Sequence, residues 1–132
     1  YLLEQTTTLY RLEVRTGHYP DSETDCELYV QLRGTRGRTD RTLLFNPHGE
    51  NTLARGSLRY FEVRVADNLE DLLEMSIWMG ASGDKDTWFL EDIVVWEVDR
   101  GRAYEFPCGR LIRQQGTSPV VLRGARLSEE CC

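Results

Sequence analysis

Hydrophobic and polar residues alternate along much of the chain. Tyr10, Leu12 and Val14 are separated by Arg11, Glu13 and Arg15, and Leu28, Val30 and Leu32 by Tyr29, Gln31 and Arg33. Successive side chains of a β-strand point to opposite faces, so a period of two predicts strands with one face in a core and the other in water. The same period runs through Phe61, Val63 and Val65, and through Leu73, Met75 and Ile77. Residues 42–45 predict a further short strand. WFLEDIVVWEV, residues 88–98, predicts a long one, rich in β-branched and aromatic side chains. YEFPC begins another at residue 104, and residues 111–112 add a short piece. Turn formers separate these runs at residues 34–40, 46–51, 66–72, 80–86 and 99–103. No helical period is evident.

Short strands at such regular spacing predict an all-β fold, an antiparallel sandwich of seven or eight strands. Residues 1–113 carry the pattern and form one domain. Residues 114–132 read as a partly ordered C-terminal extension, in which VVLRGARL can dock along a sheet edge.

Composition narrows the function. The chain has 132 residues, enough for one domain with a core of its own. No apolar run approaches the ~20 residues of a membrane-spanning helix. The first residue is Tyr1 rather than Met, which suggests a piece of something longer. The formal charge of -6 argues against sequence-independent nucleic-acid binding. Lys85 is the single lysine, which fits compositional bias. The four cysteines, Cys26, Cys108, Cys131 and Cys132, are too sparse for a disulfide scaffold. They read as free thiols of a reducing, cytoplasmic compartment, with the terminal pair open to lipidation if Cys132 is the natural end.

The segment TGHYPDSETDCEL, residues 16–28, sets Asp21, Glu23, Asp25 and Glu27 at every second position. Like charges so close are either solvated or gathered around a cation. In a sandwich whose strands run up and down, the loops at 18–27, 46–52 and 80–86 fall at one end. They would bring together Asp21, Glu23, Asp25, Asn46, Glu50, Asn51, Asp84 and Asp86. Irregular, oxygen-rich loops suit calcium, which takes six to eight oxygen ligands, and Gly49 and Gly83 leave room for backbone oxygens to turn inward. The competing reading is a solvated acidic rim with no metal.

Five stretches in order, LYRLEVRTG, TDCELYVQLRG, ARGSLRYFEV, WFLEDIVVWEV and YEFPCGRLI, resemble the PLAT domain, also called the lipoxygenase-homology or LH2 domain. The resemblance covers residues 9–112. It implies an eight-stranded β-sandwich of two four-stranded sheets, and a non-catalytic module that targets a larger protein to membrane lipid or to a membrane-associated protein. One unit of a tandem array is among the parents it suggests. It also implies calcium ligands at Thr24 and Asp25, at Asn46, Gly49 and Asn51, and at Asp84 or Asp86. Departures weigh against these. The family's Gly-Ala-Gly is Asp21-Ser22-Glu23 here, its His-Asp-Asn is Met79-Gly80-Ala81, and the asparagine of its Thr-Asp-Ala-Asn is Glu27.

Tyr19 at the tip of the first loop, and Trp78 and Met79 at the entrance to the third, are expected to meet the membrane, since amphipathic rings favour the headgroup region. Trp88 is expected in the core, Trp96 on a sheet face, and Cys108 as a buried filler. His18 and His48 lack a zinc-ligand spacing. Gly56-Ser57 is a turn rather than a nucleophile elbow, so no enzyme is expected. Arg33, Arg36, Arg38 and Arg41 crowd one hairpin, expected at the end opposite the acidic loops, as a solvated turn or a contact for an acidic protein. The isolated domain is expected to be monomeric and peripheral to a membrane. The alternative is a metal-independent protein-interaction or structural repeat.

Overall fold

The computed structural model describes residues 7–80, 86–113 and 118–127. Ten strands lie among them: β1 Thr8–Thr16, β2 Leu28–Gly34, β3 Gly37–Arg38, β4 Thr42–Leu43, β5 Leu58–Val65, β6 Leu72–Met79, β7 Thr87–Glu97, β8 Arg102–Arg113, β9 Val120–Arg123 and β10 Ala125–Arg126. Every pairing is antiparallel. One sheet has the order β10-β8-β7-β1-β5. The other has the order β3-β2-β6-β9, with β4 also on β2.

The sandwich is the predicted one, with about five strands to a sheet instead of four. Two causes account for the difference. The predicted strand at residues 42–45 is reduced to β4, and the predicted turn at residues 34–40 contains a further short piece, β3, on the same edge of β2. The run VVLRGARL docks on both sheets: β9 pairs with β6, and β10 with β8. The chain passes between the sheets at Gly124, where a Cβ would stand 2.4 Å from the Phe106 ring. YEFPC and residues 111–112 join into the single strand β8. Its Pro107 pairs with Asp92 on one side, and β10 reaches only Tyr104 and Glu105 on the other. The missing N–H of proline thus falls on an open stretch of edge.

The alternating positions meet between the sheets. Tyr10, Leu12, Val14, Trp88, Ile93, Val95 and Phe106 face Leu28, Val30, Leu32, Met75, Ile77 and Leu122 in one buried cluster. Trp88 is fully buried as expected, and its indole Nε1 donates to Thr16 Oγ1 at 2.9 Å. Trp96 lies on the outer face of the first sheet, opposite Arg11 in register. Cys108 is half-buried at the margin of the core, and Cys26 is the buried thiol.

Strand direction sorts the loops into two poles. Residues 17–27, 44–57, 80 and 86 follow or precede strand ends at one pole. Residues 34–37, 66–71 and 98–101 do so at the other.

Candidate functional site

Backbone hydrogen bonds tie the predicted loops together. Thr24 N donates to Leu53 O at 3.2 Å, and these two residues form an isolated β-bridge that joins the first loop to the second. Gly80 N donates to Glu27 O at 2.7 Å, joining the first loop to the start of the third. Phe89 N donates to Ser22 O at 2.9 Å. Three segments distant in sequence therefore converge, as the alternation of strand direction requires.

Convergence does not gather a metal shell from the described residues. No group of three or more His, Cys, Asp or Glu side chains that could hold a metal ion is present among them. Asp21, Asp25 and Glu27 are exposed, Glu23 is half-exposed, and Asp86 is exposed at the start of β7. Asp84, like Gly83, Cys131 and Cys132, lies outside the described residues. Thr24 is buried, and its Oγ1 accepts from Cys26 N at 3.2 Å.

The second loop is engaged with itself. Asn51 Oδ1 accepts from Asn46 N at 2.6 Å, while its Nδ2 donates to Asn46 O at 2.7 Å and Gly49 O at 3.2 Å. Asn46 Oδ1 accepts from His48 N at 2.9 Å, and its Nδ2 donates to Tyr60 O at 3.1 Å. Oxygens expected to face a cation instead close an Asx-type turn. Glu50 is exposed on that turn. The donor chemistry is of the hard-oxygen kind calcium prefers, but the described residues do not make its coordination shell.

The same pole carries exposed apolar side chains. Tyr19 is 52% exposed, stacks on His18 and meets the Phe89 ring edge-on at 5.2 Å between centroids. Leu111 lies beside them around an apolar hollow that Tyr19, Pro20 and Phe89 line. On the other side of the acidic segment Phe45 is 58% exposed, and Leu43 is exposed two residues before it. A cleft of about 280 Å³ opens there, lined by Asp25, Glu27, Leu43, Phe45, Leu53 and Phe61 among others.

Phe45, Leu43 and Leu111 were not among the expected membrane residues. Leu111 and Ile112 are adjacent and both apolar, so the pattern does not tell which faces out; in β8 Ile112 is buried and Leu111 is turned outward. Of the three expected, Tyr19 is exposed. Trp78 is half-buried on the outer face of the second sheet, with the Arg41 guanidinium 4.2 Å above its ring. Met79 is a correction: at 8% exposed it points into the core, because β6 alternates and Met79 shares a face with Met75 and Ile77.

A two-sheet antiparallel sandwich with functional loops gathered at one end is a class shared by many binding modules. The PLAT/LH2 domain model matches residues 10–122, and the chain belongs to that family. It is 32% identical over 104 residues to the mouse polycystin family receptor for egg jelly, covering 79% of this chain and 5% of that protein. It is 26% identical over 118 residues to human lipoxygenase homology domain-containing protein 1, covering 89% of this chain and 6% of that protein. The chain thus spans about a twentieth of the length of these relatives. Coral 8R-lipoxygenase, whose structure is described as showing calcium activation via a C2-like domain, superposes with a TM-score of 0.73 at 24% identity. That match covers 88% of this chain and 17% of the other, and it shows the fold.

Proposed function

We propose that this domain is a non-catalytic targeting module of a longer protein and that it docks on a membrane surface by the pole that carries Tyr19, Phe45 and Leu111. The carrying observation is the placement of these exposed apolar side chains on both sides of one loop cluster. Rings and aliphatic side chains at such a rim enter the headgroup region, while the strand beneath keeps its backbone paired. Burial pushes the Cys108 thiol up, so neither chemistry nor thiolate reactivity is asked of it. The free thiols of Cys26 and Cys108 support a cytoplasmic, reducing location at the membrane periphery.

The acidic loop between the two apolar groups sets the lipid preference. Asp21, Glu23, Asp25 and Glu27 repel an anionic leaflet, so docking favours a zwitterionic one. No step is assigned to calcium, since the described ligand set is incomplete. Co-sedimentation with phosphatidylcholine vesicles tests the reading. Tyr19→Ala combined with Phe45→Ala should lower the bound fraction severalfold, and undiminished binding overturns it.

A second reading, a module for protein contact without lipid, draws on Leu58, Tyr60 and Trp96, which stand exposed on the outer face of the first sheet. Vesicle binding that fails for the unaltered domain while that face is protected in the full-length parent would favour it.

A further inference from the structure

At the opposite pole arginines gather on the hairpin between β2 and β3. Arg36 and Arg38 are exposed at the hairpin between β2 and β3, and neither makes an ion pair among the described residues. Arg38 is the cross-strand partner of Arg33. Like charges directly opposite each other in a sheet are destabilising. Glu74 relieves Arg33 at 3.2 Å, while Arg38 has no ion-pair partner within 4 Å among the described residues. Arg64, whose guanidinium donates to the Thr7 hydroxyl at 3.1 Å, stands across a cleft of about 460 Å³ from this hairpin. Two carboxylates, Asp40 and Asp67, line the same cleft.

The hairpin is held, not loose. Thr35 N donates to Asp71 O at 3.0 Å and Arg36 N to Leu69 O at 3.2 Å. Gly34 permits this approach, since a Cβ there would lie 2.3 Å from Leu69 O. The partner loop is itself fixed from within. Asn68 Oδ1 accepts from Glu70 N at 2.7 Å, and its Nδ2 donates to the buried carboxylate of Glu97 at 2.7 Å. Leu69 N donates to the Tyr10 hydroxyl at 3.1 Å. The guanidinium groups are therefore carried on a backbone already ordered before any ligand arrives, which lowers the cost of binding.

Arginine forks match phosphate oxygens in pairs, and carboxylates accept hydrogen bonds from hydroxyl groups. We propose that the cleft bounded by Arg36, Arg38 and Arg64, with Asp40 and Asp67, is a binding site for a phosphorylated polyol such as an inositol phosphate, free or as a lipid headgroup. The arginines take the phosphates and the two carboxylates take ring hydroxyls. A bare anion would meet three cations offset by two carboxylates, so the mixed lining favours a ligand with both kinds of group. The site lies at the far end of the strands from Tyr19 and Phe45. β5 alone separates the poles by roughly 25 Å at about 3.3 Å per residue. One flat bilayer therefore engages one pole at a time.

Calorimetric titration of the domain with soluble inositol trisphosphate is the test, with inorganic phosphate as the ligand lacking hydroxyls. Arg36→Gln with Arg38→Gln should weaken inositol trisphosphate about tenfold or more, while Arg110→Gln, an exposed arginine at the other pole, leaves it unchanged. Asp40→Ala with Asp67→Ala should weaken inositol trisphosphate and not inorganic phosphate. Simple charge attraction gives the reverse, tighter binding of both. Absence of binding, equal loss in Arg110→Gln, or tightening of both ligands in the aspartate variant each overturns the proposal. So does binding to phosphoinositide vesicles without binding of the free headgroup. Binding of the free headgroup together with those vesicles identifies a lipid source, and binding of the free headgroup alone a soluble one. Tyr19→Ala with Phe45→Ala should leave this titration untouched, so failure of one reading is separable from failure of the other.

Discussion

The Arg41 guanidinium lies over the indole of Trp78, its central carbon 4.2 Å from the ring centroid. The segment that follows the Arg36–Arg38 hairpin thus returns along the outer face of the second sheet and covers a tryptophan that alternation alone would leave bare. A cation over an indole at an exposed site contributes about 0.5–1 kcal/mol. Arg41→Ala should lower stability by that order. It should also raise acrylamide quenching of one of the three tryptophans, with Trp78→Phe abolishing the change. Unchanged quenching would show that Arg41 does not shield the ring.

Glu97 is fully buried at the end of β7 and is held by three neighbours. Arg102 Nε donates to its Oε1 at 3.2 Å, Asn68 Nδ2 donates to Oε2 at 2.7 Å, and Arg100 Nε forms an ion pair with Oε2 at 3.1 Å. Removing one member of a buried charged network costs about 3–5 kcal/mol. Arg100 is nearly half exposed and can return to water, so Glu97→Ala should fall near the low end of that range. Urea denaturation measures it. Because Glu97 holds Asn68, the variant should also loosen residues 66–71 and speed their amide exchange.

Two carboxyl groups give the stability a readable pH dependence. The Asp92 carboxyl beside Glu105 raises the Glu105 pKa, burial adds to this, and Arg15 opposes it. A carboxyl raised on folding contributes stability that is complete below its unfolded pKa and is lost as pH rises through its folded value. The hydrogen bond from Arg33 holds Glu74 below its ordinary value. Its contribution is present above the unfolded pKa and is lost as pH falls through the folded one. Urea midpoints should therefore rise as pH is lowered from neutral toward the ordinary carboxylate range, then fall at more acidic pH. Glu105→Gln should remove the rise and keep the fall. A rise that persists in the variant would place its source elsewhere.

Calcium is tested by melting. A ligand that binds only the folded state at a hundred times its dissociation constant stabilises by about 2.7 kcal/mol, several degrees for a domain of this size. Among the described residues no three His, Cys, Asp or Glu side chains gather, and Asp84 lies outside them; a solvated acidic rim gives the same melting temperature in millimolar calcium and in chelator. A calcium-dependent rise that Asp25→Asn abolishes would establish a metal site on the first loop.

Much of the sandwich was legible because its strands are half-buried, and half-burial writes a period of two into the residues themselves. β1, β2, β5 and β6 carry it plainly. β3, β4 and β10 are two residues each, too short for any period, and only their neighbours define them. The meeting of the loops at one pole was legible in outline, since strand direction alternates. What their oxygens do was not. Asn46 and Asn51 have the right atoms for a cation, yet the loop closes on itself through both amides.

The residues alone determined the all-β class, the two buried faces, the place of Trp88 and the family. These depend on the order of apolar and polar positions along the chain, which any extended strand reads out in the same way. Tertiary structure alone decided that Arg41 covers Trp78, that Phe45 and Leu111 flank the acidic segment, and that Arg36, Arg38 and Arg64 face one cleft. Each depends on which segments a fold brings side by side across long separations, and that is fixed by packing two sheets against each other rather than by any local pattern.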